Sequence, residues 1–164
     1  MGIPEDKVSY IDDPLSRETM RILLNAVDIY AAPSRIEGFG MIQVEAMACG
    51  KPVLSIDAMG VKDTVVHGKT GYLAKVAETI DLEEEWAYIH MGFEEDHKIR
   101  FDQPKTFAYR ANVDELSDYL LKLLTDDDLR ARMGEDARKH VVENFDYGKV
   151  SLDIARLIEN KLNL

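Results

Sequence analysis

Cysteine is all but missing from this chain. Cys49 stands alone among 164 residues, so no internal disulfide can form, and the expectation is a protein of a reducing compartment, cytoplasmic by default. Net positive charge is also missing: 20 Lys and Arg face 31 Asp and Glu, a balance of −11. The acids run together at Glu83-Glu84-Glu85, Glu94-Glu95-Asp96 and Asp126-Asp127-Asp128. With no basic patch to neutralise phosphates, nucleic acid is set aside as a partner. No apolar run approaches the ~20 residues of a membrane helix, so no transmembrane segment is expected. The start, Met1-Gly2-Ile3-Pro4-Glu5-Asp6, is not a signal peptide, and Asp6 replaces the Ser or Thr that a myristoylation start needs. Zinc-type spacing is lacking too. His90 and His97, with Glu94 and Asp96 between them, fit neither an i, i+4 pair nor a finger pattern and read as solvated loop.

What is present suits a single α/β domain. Apolar residues make up 46% and charged residues 31%, ordinary for a globular protein with a real core. Short apolar strands alternate with helical patterns through the first two-thirds. Strands are expected at Val8 to Ile11, Asp28 to Ala32, Pro52 to Ile56 and Thr70 to Ala74. Met20, Leu23, Leu24 and Val27 mark a helix over 16–26 with Ser16 or Asp13 as cap, and a second helix covers 41–49 with Gly50 just past its end. A turn and a short helix fill Gly60 to Val66. Such alternation predicts a mostly parallel sheet covered on both faces, a Rossmann-like three-layer sandwich.

Residues 75–111 break the rhythm and read as an insertion, with a helix around 82–90 and an extended piece around 99–109. Its Trp86, Tyr88 and Phe93 suggest a small satellite core or an interface patch. Helices then occupy about 113–163. The first opens with the capping box Asn112-Val113-Asp114-Glu115 and buries Leu116, Leu120, Leu123 and Leu124. The second carries Leu129, Met133, Ala137 and Val141, and the third, from about Gly148, carries Val150, Ile154, Leu157, Ile158 and Leu162.

The chemistry-bearing segment is Pro33-Ser34-Arg35-Ile36-Glu37-Gly38-Phe39-Gly40-Met41-Ile42-Gln43-Val44-Glu45. Two carboxylates with seven residues between them, a Glu-x7-Glu pattern, bracket a glycine-rich turn that opens a helix. Helix 41–49 is apolar nearly all round, which implies burial and makes Glu45 require a partner. Helical side chains lean toward the N-terminus, so Glu45 is expected to point back at the turn. Unpaired N–H groups at the helix start suit a phosphate or a sugar oxygen, and glycines let a ligand approach the backbone. The alternative is that Glu37 caps the helix and Glu45 pairs with a structural base. Cys49 reads as a small buried hydrophobe, and Lys51, Lys62 and Lys69 as exposed loop lysines that could reach a diphosphate.

These residues resemble the family 4 glycosyltransferases of the two-domain GT-B fold. The resemblance rests on Ala26-Val27-Asp28, Pro33-Ser34, Glu37-Gly38-Phe39-Gly40, Glu45-Ala46-Met47-Ala48-Cys49-Gly50-Lys51-Pro52-Val53, Gly60-Val61-Lys62-Asp63 and His67-Gly68-Lys69-Thr70-Gly71. The later Arg130, Met133-Gly134 and Asn144-Phe145 extend it toward the C-terminus. It implies the C-terminal, nucleotide-sugar-binding half of a retaining, metal-independent hexosyltransferase. Glu37 would contact the donor sugar as the catalytic-site acid. Gly38, Phe39, Gly40 and Met41 would offer N–H groups, Glu45 would accept from the ribose, Val44 would line the nucleotide pocket, and Ser34 would shape the turn. Asp63, where the family usually has Glu, would keep a capping role. The family's basic pair for the donor phosphates and its acceptor-binding domain have no counterpart in this sequence. A partner chain, or a second copy pairing at an exposed sheet edge, is therefore expected. A non-catalytic nucleotide-sugar-binding module, or an epimerase or phosphorylase of related architecture, are the rival readings.

Overall fold

The computed structural model describes residues 3–162. Met1-Gly2 and Asn163, the last position of the expected helical tail, lie outside the described residues. A short 3-10 turn at Glu5–Lys7 leads through extended chain into α1 (Arg17–Ala26). There follow β1 (Tyr30–Ala31), α2 (Met41–Ala48), β2 (Val53–Ile56), α3 (Val61–Thr64) and β3 (Gly71–Ala74). A hairpin of β4 (Val76–Ala87) and β5 (His97–Ala111) precedes α4 (Val113–Thr125), α5 (Asp127–Asn144) and α6 (Tyr147–Leu162).

β1, β2 and β3 form a parallel sheet in sequence order, with Tyr30 opposite Val53 and Leu54 opposite Tyr72. Parallel strands need crossovers, which the α2 and α3 segments supply. All four residues of β2 are buried, as a central strand with a neighbour on either side requires. α2, α4 and α5 pack on this sheet, and α1 leans on α2. The core joins Met47 of α2, Val53, Val61, Val65, Leu73 and the α5 residues Ala137 and Val141. This is the α/β architecture that the alternation predicts.

Local chemistry explains the helix starts. Ser16 Oγ accepts from Thr19 N at 3.1 Å, Asn112 Oδ1 from Glu115 N at 3.0 Å and Asp126 Oδ1 from Leu129 N at 2.8 Å, each satisfying a donor the helix cannot use itself. Gly50 takes φ +72° directly after α2 and Cys49. The capping box closes only on one side. The Glu115 carboxylate accepts from Lys75 N at 2.8 Å and meets Lys75 Nζ at 3.4 Å, while Asn112 N donates to Lys75 O at 2.8 Å. The acid expected to close its own helix start ties α4 to the end of β3 instead.

Several expectations give way. Val8 to Ile11 forms no strand, because no neighbouring strand among the described residues offers it a ladder. The helix expected around 82–90 is the outer half of β4. The pairing with β5 sets Arg100 opposite Glu84 and Arg110 opposite Glu78, and Lys98, opposite Trp86, reaches Glu84 diagonally. Cross-strand pairs of this kind outweigh the helix propensity of a Glu run, which tertiary pairing readily overrides. Leu124 is exposed, and so are Val150, Ile154, Leu157, Ile158 and Leu162 along α6. Apolar periodicity finds these faces correctly, but within the described chain nothing covers them.

Candidate functional site

The Glu-x7-Glu segment follows the C-terminal end of β1, where ligand crevices of parallel α/β sheets form. After Ala31 the chain turns sharply, with Ser34 N donating to Ala32 O at 2.8 Å. Gly40, the residue before α2, is left-handed at φ +86°. Its N–H donates to Glu37 Oε1 at 3.0 Å, so Glu37 does cap the turn, with one carboxylate oxygen. The second oxygen has no hydrogen-bond partner among the described residues. The first N–H taken up within the helix is that of Val44, bonded to Gly40 O at 3.1 Å. The N–H groups of Met41, Ile42 and Gln43 stand ahead of it at the positive end of the helix dipole.

The loop after β2 supports this turn from behind. Glu37 N donates to Met59 Sδ at 3.3 Å, and Gly60 packs against the Gly38 carbonyl so closely that a Cβ there would lie 1.9 Å from the oxygen. Phe39 is gripped edge-on by Phe145 at the end of α5, centroids 5.8 Å apart. Tyr109 N of β5 donates to Arg35 O at 2.9 Å, which fastens the hairpin to the same turn.

Two clefts border α2, one at its N-terminus and one along its length, and Met41 lines both. One, of about 270 Å³, is lined by Tyr30, Glu37, Phe39, Gly40, Met41 and Gln43. The other, of about 670 Å³ between α1 and α2, is lined by Arg17, Arg21, Asn25, Glu45, Cys49 and Arg138, among others. The two acids therefore line different clefts, which share Met41. Helix α2 is not apolar-buried on every side: Met41, Ile42 and Glu45 are exposed because that flank borders open space. Glu45 faces the α1–α2 cleft instead of answering a buried partner. Val44 is half-buried against the core and lines neither cleft. Ser34 is half-buried in the turn and Gly38 is open, with no atom within 4 Å of the place a Cβ would take. Asp63 is exposed in the first turn of α3, and the α3 start has no side-chain cap.

Tyr30 belongs to the site although sequence reasoning missed it. Burial, followed by the charges of Glu37 and Glu45, pushes its phenol above the ordinary value of 10.0. It stays protonated, a hydrogen-bond donor within the field of both acids. Its position at the end of a strand just before the Pro33-Ser34 turn was the available signal. Three arginines in the larger cleft were missed as well. Arg21 pairs with Glu18 at 2.5 Å, and Arg138 donates to the Ala48 carbonyl at the end of α2, while Arg17 makes no ion pair among the described residues. Cys49 is half-buried and accepts from Asn25 Nδ2 at 3.4 Å. His90 stacks on Tyr88 and His97 meets Phe93 edge-on.

A parallel α/β sheet thus brings two acids, a left-handed glycine and the open N-terminus of α2 together beyond the end of β1. Residues 5–100 match the family model described as "Glycosyl transferases group 1". The chain belongs to this family. It is 27% identical over 146 residues to N-acetyl-alpha-D-glucosaminyl L-malate synthase of Bacillus anthracis, a match covering 89% of this chain and 29% of that protein. Its fold matches sucrose-phosphate synthase of Thermosynechococcus elongatus with TM-score 0.68 at 21% identity, covering 97% of this chain and 31% of the other. It also matches Anabaena HepE in complex with UDP-glucose, with TM-score 0.61 at 24% identity over 88% and 30% of the two chains. The chain spans less than a third of the length of the curated relatives it matches.

Proposed function

We propose that this chain is the donor-binding half of a retaining, family 4 type hexosyltransferase that uses a nucleotide-diphosphate sugar. The observation that carries the reading is the pair of clefts on α2 that share Met41, one at the helix start with Glu37 and the free N–H groups, the other along the helix with Glu45. In this arrangement the sugar lies against the unbonded oxygen of Glu37. The diphosphate lies at the N–H groups of Gly38, Phe39 and Met41, the Gly40 N–H being taken by Glu37, and the ribose hydroxyls donate to Glu45. Tyr30 gives a neutral donor beside the sugar. Family membership and the UDP-glucose complex of HepE support a nucleotide sugar as ligand. The domain contributes positioning and electrostatic stabilisation of the departing diphosphate by fixed donors. No metal enters this reading, which follows the family resemblance in using backbone donors and basic residues for the leaving group.

Calorimetric titration with UDP and GDP, and with their sugar conjugates, tests this. Glu45→Ala is expected to weaken binding about tenfold or more, by loss of charge-assisted hydrogen bonds, whereas Asp63→Ala leaves it within twofold. Absence of heat with both the uridine and the guanosine series overturns donor binding by this chain.

The second reading, that the chain binds donor but turns over only with a separate acceptor-binding half, is favoured by its span of under a third of its relatives. The outer edge of β1, unpaired among the described residues, offers that half or a second copy a place to dock. Sugar transfer or donor hydrolysis by the purified chain alone overturns this second reading.

A further inference from the structure

Gln43 is an anomaly in the third position of α2. It is 1% exposed, yet its carbonyl oxygen Oε1 has no hydrogen-bond partner among the described residues. The orientation of the amide is fixed by its neighbours. Ser55 Oγ spends its single proton on the Ala32 carbonyl at 2.6 Å, so toward Gln43 it can only accept, and Nε2 lies 3.5 Å away to donate. Flipping the amide would set two acceptors against each other. Oε1 is thereby held beneath Gly40, where it fills the space of the missing side chain: a Cβ on Gly40 would lie 2.3 Å from it.

A core residue in this place needs only to be apolar. Leucine or methionine would fill similar volume without stranding an acceptor, and a buried unpaired carbonyl is destabilising. What the amide adds beyond volume is a directional tether: Nε2 is held by Ser55 Oγ, which fixes Oε1 under Gly40 in a way that a leucine or methionine of similar size does not. The amide sits between Ser55 of β2 and the left-handed Gly40, whose N–H holds Glu37 Oε1 at 3.0 Å. A run of contacts thus leads from the end of β1 through Ser55, Gln43 and Gly40 to the Glu37 carboxylate.

We propose that Gln43 is a positioning residue for Glu37: its buried amide props the left-handed Gly40 turn, keeps the Gly40 N–H on one carboxylate oxygen, and so presents the other oxygen to the ligand. The inference rests on the donor-site reading for its consequence, but the propping itself is testable without any ligand.

The experiment compares the full chain with Gln43→Leu, and with Gln43→Met in case leucine fits badly, by amide hydrogen exchange, thermal melting and titration with UDP and GDP. Exchange at the Gly40 amide is expected to accelerate at least tenfold in the variants while β2 amides keep their protection, and the melting temperature is expected to equal or exceed that of the parent. Affinity for whichever of UDP and GDP the parent binds is expected to fall about tenfold. Unchanged Gly40 exchange overturns the inference, as does a lowered melting temperature with β2 and Gly40 protection falling together, which marks an ordinary structural residue. A parent that binds neither UDP nor GDP overturns the donor-site reading and leaves the exchange result to decide the propping.

Discussion

Substituting alanine for Gly60 places a methyl group where the structure has backbone. The new Cβ would lie 1.9 Å from the Gly38 carbonyl oxygen, 2.7 Å from its carbonyl carbon and 2.9 Å from the Phe39 Cα. None of these is the loose end of a flexible side chain, so the contact is relieved only if one loop moves away from the other. Restoring an ordinary carbon–oxygen separation of ~3.3 Å requires a shift of roughly 1 Å or more. Overpacking of this kind costs about 1–3 kcal/mol, and in a chain of 164 residues each kcal/mol lowers the melting temperature by about 2–4 °C. Gly60→Ala should therefore melt roughly 2–12 °C below the parent. Because the displaced backbone is the Gly38-Phe39 turn itself, and a misplacement of ~1 Å is enough to disable a positioned site, affinity for UDP or GDP should fall with it. Gly38→Ala is the control. Its added methyl meets no atom within 4 Å, so the melting temperature should hold, while any loss of nucleotide affinity reports a ligand that comes close to the backbone there. Differential scanning calorimetry with titration of both variants decides the matter. A Gly60→Ala protein with parental stability and parental affinity refutes the claim that the loop after β2 holds the Glu37-Gly38 turn in place.

Two further outcomes follow from packing and charge. Met47 is fully buried at the centre of the core, and Met47→Ala should cost about 2–5 kcal/mol, whereas Met41→Ala on the exposed flank of the same helix should stay within about 0.5 kcal/mol in the same denaturant titration. The Lys75 backbone N–H, with the Lys75 ammonium, holds the Glu115 carboxyl below its ordinary 4.5. A depressed folded-state value gives stability that is present above the ordinary value and lost as pH falls through the folded one. The acid limb of the melting-temperature profile, between about pH 5 and 3, should accordingly flatten in Glu115→Gln, and an unchanged limb would mean that this tie contributes nothing.

The site's skeleton was legible because its chemistry is local. Gly40 and Gly50 bracket α2 in the sequence and in space, the Pro33-Ser34 turn ends β1, and Glu37 caps at a distance of three residues. What failed was inference about surroundings. The composition of α2 reads as buried on every side, since a hydrophobicity pattern cannot distinguish a flank packed on protein from one that borders a cleft. The same blindness let Leu124 read as core. Arg138 reaches the Ala48 carbonyl across 90 positions, a juxtaposition no short-range pattern announces. The Glu83-Glu84-Glu85 run was misread because its conformation is decided by partners on β5, more than a dozen residues away in the chain.

The β4–β5 hairpin leaves and re-enters the body of the molecule at one point. Val76 and Ala111 are paired with each other, and Lys75 and Asn112 are joined by a hydrogen bond directly beneath them. At ~3.4 Å per residue, the 12 residues of β4 make an arm about 40 Å long that is topologically a parenthesis. It opens and closes without altering the path of the chain on either side. Length in such an arm is a free variable for evolution: residues can be added or removed in facing pairs while the sheet and the turn that holds Glu37 stay where they are. Because the stem is fastened to Arg35, every such change in reach is made beside the ligand crevice, so relatives built on this plan can differ in what they touch there without rebuilding what they hold.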